Sequence, residues 1–208
     1  MALAVFAGLI VLGIVLPSPA VRFRGGVLLD TVVRRYVRIR TAPGRRRAAR
    51  LSDGFLWTVS SWAVVVDALI VAGIVHHSSD VASRLVTMDA FSLGLTGSIV
   101  TLTKKIIGRE RPHVTPEDER RPEDTLSFFG GHAAMSFTGA GLVWMQHRQL
   151  PLYGGGAWDL GIGVVALGLA AVTAGLRVAA DKHYLSDVLV GSALGLVSGL
   201  LVPAIVFG

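Results

Sequence analysis

The stretch RVAADKHYLSD, residues 177–187, places a guanidinium, an imidazole and a carboxylate close together, at Arg177, His183 and Asp187. His183 and Asp187 are four apart, so a helix beginning near residue 183 sets them one turn apart on one face. The carboxylate then accepts a hydrogen bond from one imidazole nitrogen. That fixes the tautomer and leaves the other nitrogen free as a nucleophile or base. Gly191, Gly195 and Gly199 continue the same face. A small residue at every fourth position lets helices approach closely, which turns the His–Asp pair toward protein rather than lipid. A second imidazole, His132, follows Gly130 and Gly131 at the start of another apolar run. The glycines permit a tight turn, and a helix N-terminus offers free N–H groups to an anion. Lys104, Arg111 and Arg177 add three cations. Each residue alone has a plainer reading: a lysine at a helix end snorkels, an arginine meets a headgroup, a lone histidine packs. Together, a ring of three cations, backbone amides and two imidazoles suits phosphoryl transfer, which needs positioning and neutralisation of charge on the transferred group.

Elements that position such residues are read from hydropathy. The chain has 208 residues, 52% hydrophobic and 16% charged, with mean hydropathy +0.60. A soluble domain carries about 25% charged residues. These values point to an all-α, polytopic membrane helix bundle. There is no cysteine, so neither disulfides nor thiolate-held metal enters the chemistry. The net charge of +6 comes from arginines beside apolar runs, which favours anionic lipid headgroups over nucleic acid as partner. Five stretches reach the roughly 20 residues a bilayer core requires: 56–75, 85–103, 128–145, 157–176 and 188–207. A shorter run, 1–16, closes at Pro17 and Pro19. It reads as a first short helix or as a signal peptide cut after Ala20, and the missing positive residue before it favours the helix. The bundle thus has five to six membrane helices. Phe55, Trp57, Trp144, Trp158, Tyr184 and Phe207 lie near span ends, as interfacial anchors do.

Residues 22–50 carry ten arginines and read as a solvated or interfacial amphipathic segment. This divides the chain into an N-terminal part, 1–54, and a membrane core, 55–208. The other polar region, 108–127, is a loop broken by Pro112, Pro116 and Pro122. Alternating spans gather 17–54, 104–127 and 177–187 on one side of the membrane, with 76–84, 147–156 and the C-terminus on the other. Asp67 and Asp89 fall inside predicted spans, where carboxylates either serve function or bond to neighbouring helices. His76, His77 and Asp80 sit on the opposite side and read as an ordinary loop.

At these residues the chain resembles the type 2 phosphatidic acid phosphatases (PAP2), in their membrane lipid phosphatase branch, which share a pocket with vanadium haloperoxidases. That family shows Lys, six residues, Arg-Pro; here Lys104, Arg111 and Pro112 stand at that spacing. It shows Pro-Ser-Gly-His; here Phe129 to His132 read FGGH, keeping the Gly-His half. It shows Ser-Arg, five residues, His, three residues, Asp; here Leu176 replaces the serine while Arg177, His183 and Asp187 match. The resemblance covers about residues 55–205. It implies that His183 attacks phosphorus to form a phosphohistidine, that Asp187 orients it, and that His132 protonates the leaving oxygen and then activates water. It implies that Lys104, Arg111, Arg177 and the Gly131 backbone hold the phosphate, with no cofactor and no metal. The expected substrate is a lipid phosphate monoester or diphosphate, such as phosphatidate, phosphatidylglycerol phosphate or a polyprenyl (di)phosphate. The rivals are a lipid phosphotransferase using the same intermediate, and a non-catalytic lipid transporter or binding protein, for which Gly130 in place of serine is the argument.

Orientation carries a conflict. The face holding the candidate site has 18 of the 20 lysines and arginines, including Arg120, Arg121 and Lys182, which would make it cytoplasmic. The resemblance implies a bacterial inner-membrane protein with an extracytoplasmic site, and that side is the expectation.

Overall fold

The computed structural model describes residues 2–17, 19–115, 119 and 121–207, with only the backbone at 2, 3, 206 and 207. Ser18 of the cleavage pattern, Pro116 and Arg120 of the polar loop, and the Phe207 ring lie outside the described residues. Seven α-helices run through the described residues: α1 Ala2–Val15, α2 Asp30–Val37, α3 Ala42–Ser61, α4 Ser79–Ile107, α5 Gly131–Gln149, α6 Ala157–Ala179 and α7 Leu185–Phe207. A 3-10 turn at Pro122–Thr125 interrupts the polar loop.

Local chemistry accounts for the ends. Thr41 caps α3 by accepting the Gly44 N–H at 3.3 Å, with Pro43 in the first turn. Gly108 closes α4 in the left-handed conformation at φ 59°, after Lys104 and Lys105 in the last turn. Beyond Ser61, α3 passes without a break into a π-helical run, Trp62–Val75, whose buried positions Ala63, Asp67, Ala68, Val71 and Ala72 recur about every four residues. The continuous helix Ala42–Val75 therefore passes through residues 54 and 55 uninterrupted. Its 34 residues reach on the order of 50 Å, against about 30 Å of hydrocarbon. The arginine-rich first turns of α3 accordingly stand outside the hydrocarbon.

Four helices are long and apolar enough to cross a membrane: Ala42–Val75, Ser79–Ile107, Ala157–Ala179 and Leu185–Ile205. The span expected at 128–145 is α5, which is buried on every side, from Ala133 and Ala134 through Leu142 and Val143 to Gln146 and His147. Helices α3, α4, α6 and α7 surround it. Shielded from lipid, α5 is built of small and polar residues. The glycine stripe on α7 meets it: a Cβ at Gly191 would lie 2.6 Å from the Gly130 carbonyl, and one at Gly195 would collide with that of Ala134. Helix α1 lies along α4, with Phe6 edge-on to Phe91 at 4.9 Å and the Leu16 carbonyl accepting from Lys105 Nζ.

Two expectations change. Residues 22–50 are not merely solvated: Asp30 at the start of α2 is buried, and Arg34 and Arg38 bind the buried Asp181 between α6 and α7, at 2.6 and 2.7 Å. Tyr184 is not an interfacial anchor; it is 8% exposed and lies against the Arg109 guanidinium at 4.3 Å. Trp57 and Trp158 do face outward. At the other membrane face, Asp67 accepts from Tyr153 Oη at 3.0 Å and contacts His147, which also bonds to Asp159. Asp89 accepts from Gln146 at 2.8 Å. Both intramembrane carboxylates thus bond to neighbouring elements. His76 contacts the Leu152 carbonyl at 2.9 Å, a loop contact.

Candidate active site

Three polar segments converge as the alternation of spans requires. Residues 22–30, 108–111 and 177–187 meet where a short β-bridge pairs Phe23 with Arg109 and the Ile39 N–H donates to the Ala179 carbonyl. Beside them opens a cavity of about 1300 Å³, lined by Arg111, His132 and Arg177, by Asp53 and Lys182, and by arginines of α3.

His183 is 2% exposed and Asp187 is fully buried. Placed at the junction into α7, they face protein as the four-residue spacing and the glycine stripe predict. Their nearest atoms, His183 Nδ1 and Asp187 Oδ2, are 3.8 Å apart. That exceeds hydrogen-bond length, and Nδ1 has no other partner among the described residues. Asp187 is meanwhile held firmly: Oδ1 accepts from Arg109 at 2.5 Å, while Oδ2 accepts from Ser127 Oγ at 2.6 Å and the Tyr184 N–H at 2.9 Å. Burial, and then the charges of Lys104, Arg111 and Arg177, push the His183 pKa down to about 3 against the pull of Asp187. A neutral imidazole keeps a lone pair available at neutral pH.

Lys104 lies under the start of α5, where a Cβ on Gly131 would meet its Nζ at 3.3 Å. Arg111 leads out of α4's loop, its N–H donating to the Asp124 carbonyl at 2.8 Å. Burial lowers its pKa, against Asp124 and Glu123; a guanidinium stays charged at neutral pH in any case. Arg177, 6% exposed, reaches Ser52 Oγ at 3.2 Å and Asp53 Oδ1 at 3.0 Å. The same Asp53 oxygen contacts His132 Nε2 at 2.8 Å. Gly130, at the N-cap of α5, spends its N–H on the Asp187 carbonyl at 2.9 Å, so that amide is not available to an anion. The amides of Gly131, His132 and Ala133 have no earlier helical turn to bond to, whereas the Ala134 N–H already donates to the Gly130 carbonyl at 2.9 Å.

All seven residues singled out by spacing fall in this region, and four others join them. Arg109 is 2% exposed and bridges two carboxylates: Nη1 binds Asp187, and Nη2 binds Asp30 Oδ2 at 2.8 Å. Asp30 also accepts from the N–H and Oγ of Ser186 at 2.8 and 2.7 Å. Burial raises the Asp30 pKa, but the Ser186 and Val27 hydrogen bonds and Arg109 outweigh it and hold it below the usual carboxylate value. Asp53 and Ser127 complete the set. One signal was present for Asp30: it is the single carboxylate in 22–50.

The chain is similar to known proteins. A family model described as the PAP2 superfamily matches residues 85–208. The lipid A 1-phosphatase of Porphyromonas gingivalis is 29% identical over 119 residues, covering 57% of this chain and 23% of that protein. The chain thus spans about a quarter of the length of that curated relative. The crystal structure of a transmembrane PAP2-type phosphatidylglycerolphosphate phosphatase from Bacillus subtilis superposes with a TM-score of 0.53 at 15% identity, covering 96% of this chain and 94% of the other. The fold is therefore that of a multi-pass membrane PAP2 phosphatase, and with its family model spanning more than half of the sequence, the chain belongs to the PAP2 superfamily.

Proposed function

We propose that this protein hydrolyses a lipid phosphate monoester or diphosphate at the membrane surface through a phosphohistidine, without a metal. The observation that carries this reading is that Arg111, His132 and Arg177 line one basic cavity while Arg111, Arg177 and Lys104 lie close enough to act on the charge of the buried His183 behind it. In the resting site the Asp53 carboxylate sits against both His132 and Arg177. An arriving phosphate displaces one anion with another, and Arg177 and His132 turn from Asp53 to phosphate oxygens.

The steps follow from the groups present. The free Nε2 lone pair of His183 attacks phosphorus in line with the ester oxygen. The Nδ1–H turns toward Asp187, and closing the 3.8 Å separation to hydrogen-bond length takes a shift of about 1 Å. Lys104, Arg111 and Arg177 neutralise charge on the equatorial oxygens. The P–O bond breaks, and the leaving alkoxide takes a proton from His132, which enters the step as the imidazolium beside the bound phosphate dianion. A water then attacks the phosphohistidine and gives its proton to His132, the P–N bond breaks, and inorganic phosphate leaves with His183 neutral again. The lipid tail stays in the bilayer throughout. Structural tasks for Arg34, Arg38 and Arg109 account for cations that a positive-inside count treats as topological signals. They lower the count on this face from 18 to 15 against two on the other, so the extracytoplasmic site in a bacterial inner membrane rests on the resemblance to the family.

The test is phosphate release by purified protein in detergent from phosphatidate, phosphatidylglycerol phosphate and a polyprenyl diphosphate. At least one should be hydrolysed, and His183→Ala should abolish it. Wild-type release from the His183→Ala protein, or none from the parent on any lipid phosphate, overturns the reading.

A further inference from the structure

Arginines and Lys182 outnumber the acids Asp53, Glu119, Glu123 and Asp124 in the lining of the cavity, which carries more cationic groups than one phosphate requires. The positions of α3 that line it are Ala42, Arg45, Arg46, Ala49, Arg50 and Asp53, one helical face at spacings of three and four. The alanines leave room, and the arginines supply charge. Arg45 donates to the carbonyls of Ile39 and Arg40. Arg46 and Arg50 stand one turn apart, a like-charge spacing that disfavours the helix, and neither takes part in an ion pair with a described acid. Lys182 lines the same cavity, its pKa lowered by burial and by the Arg111 and Arg177 charges. Arg47, between them in sequence, does not line it.

We propose that Arg46 and Arg50, with Lys182, bind a second anionic group of the substrate headgroup, distinct from the phosphate that is cleaved. This rests on the reading that the scissile phosphate takes the place of Asp53 between His132 and Arg177. Arg50 and Arg46 lie three and seven residues before Asp53, about 5 and 10 Å along the helix at 1.5 Å per residue. That separation suits an anion set apart from the scissile phosphate by a spacer such as a glycerol or sugar unit. The directly bonded neighbour in a diphosphate falls closer to Arg111 and Arg177. Because the first turns of α3 rise clear of the hydrocarbon, the second anion is met in water, above the lipid tails.

The probes are propane-1,3-diyl bisphosphonate and propylphosphonate, which carry two phosphonates or one and resist hydrolysis. Calorimetry on the full chain in uncharged detergent should show the bisphosphonate binding about tenfold more tightly, as two charge-assisted contacts at an exposed site allow. Arg46→Ala/Arg50→Ala should erase the preference, Arg46→Lys/Arg50→Lys should keep part of it, and Arg47→Ala should leave it intact. Equal binding of the two probes by the parent protein, a preference that survives the double alanine change, or its equal loss in Arg47→Ala refutes the subsite. If the double variant instead loses only its response to phosphatidylglycerol in vesicles, the arginines are bilayer contacts and the proposal falls. Lipid phosphate release measured in parallel separates the two readings. A chain that hydrolyses nothing yet keeps an Arg46- and Arg50-dependent preference fails as a phosphatase and stands as a binder of two-anion headgroups.

Discussion

Arg109 is the residue whose replacement tests the architecture most sharply. Its guanidinium makes four hydrogen bonds: to Asp187 at 2.5 Å, Ser186 at 2.8 Å, Asp30 at 2.8 Å and the Gly25 carbonyl at 3.0 Å. Arg109→Met removes the only cation bonded to either carboxylate among the described residues and leaves two buried charges without a counter-ion. Breaking a buried pair in this way costs about 3–5 kcal/mol. Arg109→Lys restores the charge but not the fork, since one ammonium cannot bridge both carboxylates as a planar guanidinium does. Asp187 then keeps its bonds from Ser127 and Tyr184 and loses one, a charge-assisted bond worth about 1.5–3 kcal/mol. If half or more of that is felt when His183 is oriented, kcat falls roughly 3- to 150-fold at 1.4 kcal/mol per tenfold, with little change in KM. The assays are thermal unfolding by circular dichroism in detergent and steady-state phosphate release. The expected order of stability is parent, Arg109→Lys, Arg109→Met, with kcat already reduced in the lysine variant. Parent-like kcat and unfolding temperature in Arg109→Met would show that the clamp neither stabilises the fold nor aligns Asp187.

Asp187→Asn should preserve the helices yet lower kcat by about 10⁴, as losing the orienting carboxylate does in hydrolase triads; a loss under tenfold contradicts its role. His183 is neutral when folded, with its pKa near 3 against 6.5 when unfolded, so between those values the unfolded chain holds the extra proton. The stability due to this group is complete above pH 6.5 and is lost as pH falls toward 3; His183→Gln should shift the acid unfolding midpoint downward, and an unchanged midpoint refutes the assignment. Gly195→Ala should destabilise by about 1–3 kcal/mol through collision with α5, whereas Gly168→Ala, with nothing within 4 Å of its Cβ, should be neutral or stabilising. Phosphate release should survive exhaustive EDTA and be inhibited by vanadate; loss restored only by a divalent ion would overturn the charge-neutralising role of Lys104, Arg111 and Arg177.

The His183–Asp187 spacing and the glycine stripe were legible because α7 and the turn leading into it carry them, and such spacing is a local property. Arg109, Asp30 and Asp53 were not, because the partners that bury them lie 77 to 156 residues away in sequence. In a polar loop beside Arg111, Arg109 has the composition of a solvated cation, and only the fold buries it. Helix α5 was found by an apolar run, but its central place was hidden. Hydropathy measures what lipid touches, and a helix walled in by four others answers to packing instead. Gly130 shows the same limit. Its sequence context suggested an amide free for phosphate, whereas its N–H is bonded to the Asp187 carbonyl and a Cβ there would lie 3.1 Å from that oxygen.

The Arg109 clamp also imposes an order of assembly during synthesis. Asp30 emerges from the ribosome 79 residues before Arg109 and 156 before Ser186. At about 5–20 residues per second, its carboxylate waits roughly 8–30 seconds for the last hydrogen-bond donor. Until α7 inserts, Arg109 has Asp30 as its one carboxylate partner and Asp30 lacks the two Ser186 donors, so a half-built polar cluster with unsatisfied atoms waits beside the helices already threaded into the bilayer. Nascent chains stalled before residue 185 should therefore be the protease-sensitive ones, and insertion of the final helix is the event that closes them to quality control.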